Sequence, residues 1–189
     1  MKVRDSGMPD EKMWNSFFNP HKIFNELELD NDIKDAVEFG SGYGTFTLQA
    51  AALVKGDIYA LEIEEEMINV LQTRIEQNGI NNIKILKRDF MTEGTGLKNN
   101  SIDYAMVFNI LHTEEPVKLL SEAYRILKPG GKVGVIHWIY SSTTPRGPAM
   151  EIRPKPEQCV NWLEETKFEI LKEEIELPPY HYGILGRKN

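Results

Sequence analysis

The sequence predicts an α/β fold: a three-layer sandwich around a seven-stranded, mostly parallel sheet whose last strand is antiparallel. Three observations carry this. Short apolar stretches alternate with amphipathic stretches of roughly 10–15 residues, the pattern of βαβ units with right-handed crossovers. The first apolar stretch runs directly into a glycine cluster, Gly40-Ser41-Gly42-Tyr43-Gly44. The last two stretches flank Pro178-Pro179 at a separation too short for a parallel crossover, so they must pair as a hairpin.

Taken in order, Asn19-Pro20 is an N-cap followed by proline at the first helical position, opening a helix through Leu29. Asp35–Phe39 is a strand broken by Gly40, and Tyr43–Val54 a helix with Phe46, Leu48, Ala51 and Leu53 on its apolar face. Asp57–Ile63 is the second strand. Glu64–Asn78 is an amphipathic helix with Met67, Ile68, Leu71 and Ile75 at helical spacing, closed by Gly79. Ile83–Lys87 is the third strand, ending at Asp89. Ile102–Ile110 is the fourth, nearly continuous in apolar residues as a strand covered on both faces should be. A helix over Pro116–Leu127 stops at Lys128-Pro129-Gly130-Gly131, and Lys132–Trp138 is the fifth strand. A proline-rich loop, a helix from Pro156 to about Thr166 and strands near Phe168–Leu177 and Tyr182–Arg187 complete the chain.

The whole of 1–189 is read as one domain: an N-terminal helical lid segment over 1–30, a nucleotide-binding core over 33–138, and a substrate-side loop, helix and closing hairpin over 139–189. The hydrophobic share of 41% and charged share of 27% suit a soluble globular protein. No apolar run approaches the roughly 18 residues of a membrane span, and Met1–Asp5 leads into no signal-peptide core. With a single cysteine, Cys159, no internal disulfide forms, and a cytoplasmic setting without a membrane partner is expected. The net charge of −7 argues against a nucleic-acid partner, which would need a basic stripe. One segment is locally basic: between Pro145 and Glu157 the chain carries Arg146, Arg153 and Lys155 against Glu151. Nothing indicates an oligomeric state.

Glycines at a strand-to-helix turn permit tight dihedrals and let a ligand approach the backbone. Alone, such a loop is equally a mere tight turn. Its spacing, glycine at 40, 42 and 44, differs from the dinucleotide pattern, which wants a small residue where this chain has Thr45. Glu62 ends the second strand, about twenty residues after Gly42, where a carboxylate meets a ribose diol. Asp89 ends the third strand with Phe90 beside it, an acid for an exocyclic amino group and a ring for a flat face. Three signals at three consecutive strand ends point to an adenine nucleoside.

With those residues the chain resembles the class I S-adenosylmethionine-dependent methyltransferases, in particular the small-molecule group of ubiquinone- and menaquinone-pathway type (type 11) enzymes. The matching pieces are Val37–Thr45 as the nucleotide loop, Leu61-Glu62-Ile63 as the ribose acid and Arg88-Asp89-Phe90 as the adenine acid. To these belong Ser101 to His112, including Asn109, as the fourth-strand motif, and Ala123 to Gly131 before the fifth strand. The resemblance covers roughly residues 33–138. It implies a Rossmann-like fold, S-adenosyl-L-methionine as cofactor and methyl transfer as the reaction, with Glu38, Gly40, Ser41, Gly42, Tyr43, Gly44, Glu62, Ile63, Asp89, Phe90 and Asn109 at the cofactor. It does not imply a particular acceptor beyond a small molecule. Glu38 and Ser41 depart from the family's more frequent aspartate and small residue. Leu177-Pro178-Pro179-Tyr180 is similar to the box of nucleic-acid amino-methylating enzymes but stands at the wrong strand, and a lone cysteine disfavours arsenic methylation.

Ligands of open α/β sheets bind beyond the carboxyl ends of the strands. His112 follows the fourth strand, His137 and Trp138 close the fifth, and Tyr180, His181 and Tyr182 open the last at the same rim. His137, nearest the reacting centre, and His112 are the candidate catalytic residues. Tyr140, Arg146, Tyr180, His181 and Tyr182 are the candidate substrate-side residues. Three readings stay open: a polar pocket without special chemistry, a histidine base or orienter, or a metal held by His112, His137 and His181. No metal is expected, because no close-spaced pair such as His-x-x-x-His is present. A nicotinamide-dependent oxidoreductase and a non-catalytic S-adenosyl-binding protein remain the alternative functions.

Overall fold

The structure, a computed structural model, describes residues 9–189; the first eight residues of the expected lid segment lie outside the described residues. Seven strands form one sheet: β1 (Ala36–Phe39), β2 (Ile58–Glu62), β3 (Ile83–Lys87), β4 (Ile102–Phe108), β5 (Leu127–Trp138), β6 (Phe168–Leu177) and β7 (His181–Lys188). Their spatial order is β3-β2-β1-β4-β5-β7-β6. The pairs among β1 to β5 are parallel, and β7 is antiparallel to both β5 and β6. The hairpin deduced from the short Pro178-Pro179 connection is present, and β7 is inserted between β5 and β6.

Seven helices complete the described chain: α1 (Glu11–Asn15), α2 (Pro20–Glu26), α3 (Thr47–Ala50), α4 (Glu65–Gln77), α5 (Phe90–Glu93), α6 (Pro116–Ile126) and α7 (Pro156–Glu165). One core joins Ile23, Phe24 and Leu27 around α2 to Phe46, Leu71 and Ile75 and to the sheet residues Ile58, Tyr104 and Ile136. The other joins Leu119, Leu120, Ala123, Cys159 and Leu163 of α6 and α7 to Val37, Val107 and Val135. Neighbouring strand residues such as Val135 and Ile136 fall in different cores, as strand alternation requires. The sheet is therefore covered on both sides, giving three layers.

The element boundaries differ from expectation where a single residue changes the backbone. The expected helix to Leu29 ends at Glu26, and Glu28 takes a left-handed φ of 54° while its carboxylate bridges Lys132 (2.8 Å) and Lys172 (3.0 Å). The expected Tyr43–Val54 helix is regular only over Thr47–Ala50, because Gly42 and Gly44 hold positive φ; helical hydrogen bonds still reach Val54. β4 stops at Phe108 because Asn109 turns to φ 55°. β5 starts at Leu127, five residues early, pairing with Ile102 across an irregularity. Neither α1 nor α5 was expected; each is one turn or so, started by an aspartate N-cap, Asp10 or Asp89.

From β1 the chain progresses outward to β2 and β3 on one side and returns to β4 on the other. The crevice of a doubly wound sheet opens at that switch, between the carboxyl ends of β1 and β4.

Candidate active site

β1 is buried at all four positions, and its end delivers the glycine loop to that crevice. Gly40, Gly42 and Gly44 have φ of 74°, 50° and 79°. At Gly40 a side chain is doubly excluded: its Cβ would also stand 2.9 Å from Ile110 Cδ1, which arrives from the segment after β4. The N–H groups of Gly40 and Ser41 donate to the Leu61 carbonyl, each at 3.0 Å, so the loop rests on the end of β2. Glu62, buried, fastens it. Its Oε2 accepts from the Gly42 N–H at 2.8 Å, and its Oε1 accepts from the N–H groups of Ile63 (2.8 Å) and Glu64 (3.0 Å). A carboxylate offers about four acceptor positions, so three amides leave capacity for one ribose hydroxyl rather than a whole diol.

Behind the loop Glu38 is fully enclosed and accepts a hydrogen bond from the Thr47 hydroxyl. Burial pushes its carboxyl up to about 8; the Thr47 bond opposes this and the nearby Glu62 charge adds to it. Tyr43 is held from two directions: its carbonyl accepts from Arg74 Nη1 (2.9 Å) and its hydroxyl donates to the Pro9 carbonyl (3.2 Å).

At the end of β3, Asp89 Oδ1 accepts from the N–H groups of Met91 (3.1 Å) and Thr92 (3.3 Å), and so caps α5. Phe90 stands edge-on to Phe39 with centroids 5.3 Å apart. After β4, the Asn109 N–H donates to the Ile136 carbonyl at 2.8 Å, while both side-chain amide atoms are buried with no hydrogen-bond partner among the described residues. The Ser41 hydroxyl is likewise buried and unpartnered. Buried polar groups are normally satisfied. Two such residues, at the ends of the two strands that flank the crevice, therefore have the character of a cradle for a polar ligand.

Further along the rim, His112 and His137 meet: His112 Nδ1 lies 3.3 Å from His137 Nε2. His137 is fully buried, and burial, reinforced by His112 and His181, holds its imidazole well below the usual range. The neighbours His137 and Trp138 point to opposite faces, and so do their β7 partners Tyr182 and His181. Tyr182 therefore shares the His137 face, with ring centroids 6.3 Å apart. His181 lies on the other face, between Trp138 (4.3 Å) and Phe18 (4.5 Å). The three histidines of the metal reading do not converge. Tyr180 also belongs to that aromatic cluster, against Phe17 and Trp138.

A cavity of about 580 Å³ opens on the His112 side, lined by His112, Glu114, Tyr140, Lys155, Gln158 and Trp162 among others. Tyr140 is exposed, with the Lys155 ammonium 5.0 Å above its ring. Arg146 is exposed and lies outside this lining. The Tyr182 hydroxyl donates to the Pro154 carbonyl at 3.0 Å and contacts Cys159 Sγ at 3.3 Å, which ties the loop to β7. The residue that sequence reasoning passed over is Arg153. Its buried guanidinium donates to the carbonyls of Ile139 (3.2 Å), Ser141 (2.9 Å) and Pro148 (2.7 and 3.0 Å) and to the Thr144 hydroxyl (2.7 Å). In the sequence its only distinction from Arg146 is the apolar context Ile152-Arg153-Pro154.

The switch-point crevice, the three-glycine loop clamped by a strand-end carboxylate, and the reversed closing strand together define a nucleoside-binding α/β domain of the methyltransferase type. The methyltransferase domain family matches residues 36–131, about half of the chain, and the chain belongs to that family. S-adenosyl-L-methionine is the methyl donor that this membership implies. A demethylmenaquinone methyltransferase of Geobacillus sp. (strain WCH70) is 27% identical over 103 residues, covering 53% of this chain and 43% of that relative. The matched segment thus spans less than half of the curated relative's length. Among solved structures, a SAM-dependent methyltransferase from Aquifex aeolicus has a TM-score of 0.83 at 24% identity, covering 95% of this chain and 94% of that one. The [4+2]-cyclase SpnF has a TM-score of 0.76 at 17% identity over 98% of this chain and 84% of its own. These likenesses establish the fold, and the cyclase illustrates that one fold carries more than one chemistry.

Proposed function

We propose that the protein transfers a methyl group from S-adenosyl-L-methionine to a small molecule bound in the cavity beside His112. The observation that carries this reading is the cradle of Ser41 and Asn109, whose buried polar atoms lack partners among the described residues at the mouth of the Gly40–Gly44 loop. The glycine loop and Glu62 would hold the ribose, Asp89 and Phe90 the adenine, and Asn109 and Ser41 the polar amino-acid end. The bound cofactor supplies an activated methyl group. The chain's own work is then positioning and exclusion of water. Ile110 packs on Gly40 while His112, two residues on, lines the cavity, so one short segment borders both the cofactor loop and the acceptor space. Tyr140 and Lys155 form the outer wall, with Arg146 near enough in sequence to meet an anionic group on an incoming acceptor.

The relatives' names support a small-molecule acceptor. The acidic balance supports the absence of nucleic-acid partners, and no described helix is long and apolar enough to cross a membrane. A cytoplasmic setting is part of this reading, since Cys159 is the one cysteine of the sequence and no internal disulfide can form.

Titration calorimetry with S-adenosylhomocysteine and with NAD tests the cofactor assignment, and a labelled-methyl assay on a host metabolite extract tests the reaction. Micromolar S-adenosylhomocysteine binding without NAD binding is expected. The reverse would turn the reading to a nicotinamide enzyme. S-adenosyl binding without any labelled product would leave a binding protein or, as in the cyclase, a different reaction.

A further inference from the structure

His181 is buried with its imidazole between the rings of Trp138 (centroids 4.3 Å apart) and Phe18 (4.5 Å). Neither ring nitrogen has a hydrogen-bond partner among the described residues. We propose that the segment from Pro9 to Asn19 is a strap over the cofactor loop, latched by Phe17 and Phe18 against His181 and Trp138, and that protonation of His181 releases the latch. Such a release governs access to the S-adenosyl site whatever the acceptor is.

The backbone decides which side of the contact gives way. His181 is fixed in the sheet, paired with Trp138 of β5 on one side and Leu177 of β6 on the other. The strap has no such anchor: among the described residues, the backbone–backbone hydrogen bonds of Asp10 to Asn19 close within the segment or run on to Ile23. Its hold on the glycine loop is made by the Pro9 carbonyl, which accepts from the Tyr43 hydroxyl, and by Asn15, which accepts from Thr45. Its hold on the sheet is aromatic, with Phe17 on Trp138 (5.3 Å) and Tyr180 (5.9 Å) and Phe18 on His181 and Phe46 (5.0 Å). Lifting Phe17 and Phe18 therefore exposes His181 to water and breaks no strand pairing.

The closed latch leaves a neutral imidazole's donor and acceptor both unsatisfied, and a charge there would cost more still. Burial holds His181 down to about 3, and the Arg153 guanidinium adds to this. The other surroundings offer an imidazolium no counter-charge. The strap brings Phe17 and Phe18, β5 brings Trp138 with His137 on the reverse face, and the hairpin brings Tyr180. From β6, Leu177 lies beside His181, while Glu176 pairs with Tyr182 on the reverse face. The helix α2 turns Ile23 and Phe24 inward and leaves His21 and Lys22 exposed. With the strap lifted, His181 is hydrated and regains an ordinary value of about 6.5. The open form thus binds the proton more tightly, and opening is favoured as pH falls below that value, by up to about tenfold per pH unit.

Native-state proteolysis tests the latch independently of turnover, because cleavage of a buried site tracks the population of the opened form. Thermolysin cleavage at the Ser16–Phe17 and Phe17–Phe18 bonds is followed by mass spectrometry at pH 7.5 and 5.5. Each rate is divided by that of a free peptide spanning residues 9–24, which removes the protease's own pH dependence. The normalised rate should rise about tenfold from pH 7.5 to 5.5 in the unaltered protein. In His181→Phe and in His181→Gln, neither of which can take a charge, it should change by less than about twofold. Saturating S-adenosylhomocysteine should slow cleavage at both pH values, since a ligand beneath the strap favours the closed form. A flat normalised rate in the unaltered protein overturns the latch, whether or not the variants fold. So does a tenfold rise that persists in either folded variant. Cleavage that bound S-adenosylhomocysteine leaves unchanged overturns the strap's place over the cofactor, whereas failure of that ligand to bind in calorimetry would bring down the cofactor assignment itself.

Discussion

Glu62 and Gly42 are joined by a 2.8 Å hydrogen bond from the backbone amide to Oε2, so the carboxylate at the end of β2 shapes the loop that follows β1. Glu62→Ala should therefore weaken S-adenosylhomocysteine binding twice over, by removing the proposed ribose acceptor and by releasing three backbone amides. A charge-assisted hydrogen bond is worth about 1.5–3 kcal/mol, so one to two decades in Kd are expected by calorimetry. Glu64→Ala, which removes an exposed side chain, should change Kd by less than about threefold, or roughly 0.7 kcal/mol. Equal losses in both variants would mean that the ribose sits elsewhere.

Stability should peak near pH 6.5, because buried groups of two opposite kinds titrate on either side of it. The raised Glu38 carboxyl binds its proton more tightly in the folded protein, so its contribution is complete below about 4.5 and is lost as pH rises to about 8. His137 and His181 are depressed mainly by burial, His181 to about 3, so the folded protein binds fewer protons there. Their contribution is complete above about 6.5 and is lost as pH falls. Each group contributes a slope of about 1.4 kcal/mol per pH unit inside its window. Two histidines outweigh one glutamate below pH 6.5, and Glu38 acts alone from there to about 8. Denaturant melts across this range should show Glu38→Gln flattening only the alkaline decline. A decline that persists in that variant would relieve Glu38 of the role.

Arg153, and not Arg146, should govern the order of the loop after β5. A buried guanidinium donating to Ile139, Ser141, Thr144 and Pro148 replaces the secondary structure that this stretch lacks. Arg153→Met should raise amide hydrogen exchange across residues 139–152 by more than tenfold while S-adenosylhomocysteine affinity stays within about threefold, roughly 0.7 kcal/mol. Arg146→Ala should leave exchange unaltered. Protection retained in Arg153→Met would show that packing alone holds the loop.

These contrasts mark where the sequence was sufficient. The glycine spacing, the strand-end acids and the short Pro178-Pro179 connection are local facts with one geometric solution each, and they placed the crevice, Glu62 and the reversed β7. The facing of the rim residues was also contained in the sequence. Adjacent residues of a strand point oppositely, so the side chains of His137 and Trp138, or of His181 and Tyr182, face opposite sides of the sheet. Grouping all of them by their position along the strands overlooked this. The distinction between Arg146 and Arg153 was not contained there, because which guanidinium meets the loop carbonyls depends on how an irregular segment folds back. The one-turn helices α1 and α5 are too short for an apolar periodicity, and only their aspartate caps announce them.

Polar contacts hold the helix α1 over the glycine loop. Glu11 pairs with Arg74, which in turn donates to the Tyr43 carbonyl, and the Thr45 hydroxyl donates to Asn15 Oδ1 at 2.6 Å. No residue of α1 is buried, whereas the following Phe17 and Phe18 pack on Trp138, Tyr180, Phe46 and His181. The two ends of the segment should therefore differ in stability. Half-exposed ion pairs contribute about 0–1 kcal/mol each, so α1 should open locally far more often than the aromatic anchor does. Hydrogen exchange should show fast amides over residues 13–16 and slow ones at 23–27. Glu11→Gln with Thr45→Val should quicken the first set by roughly three- to thirtyfold and leave the second unchanged. Should both sets quicken together, α1 and α2 move as one body, and a lid hinged near Asn19 is ruled out.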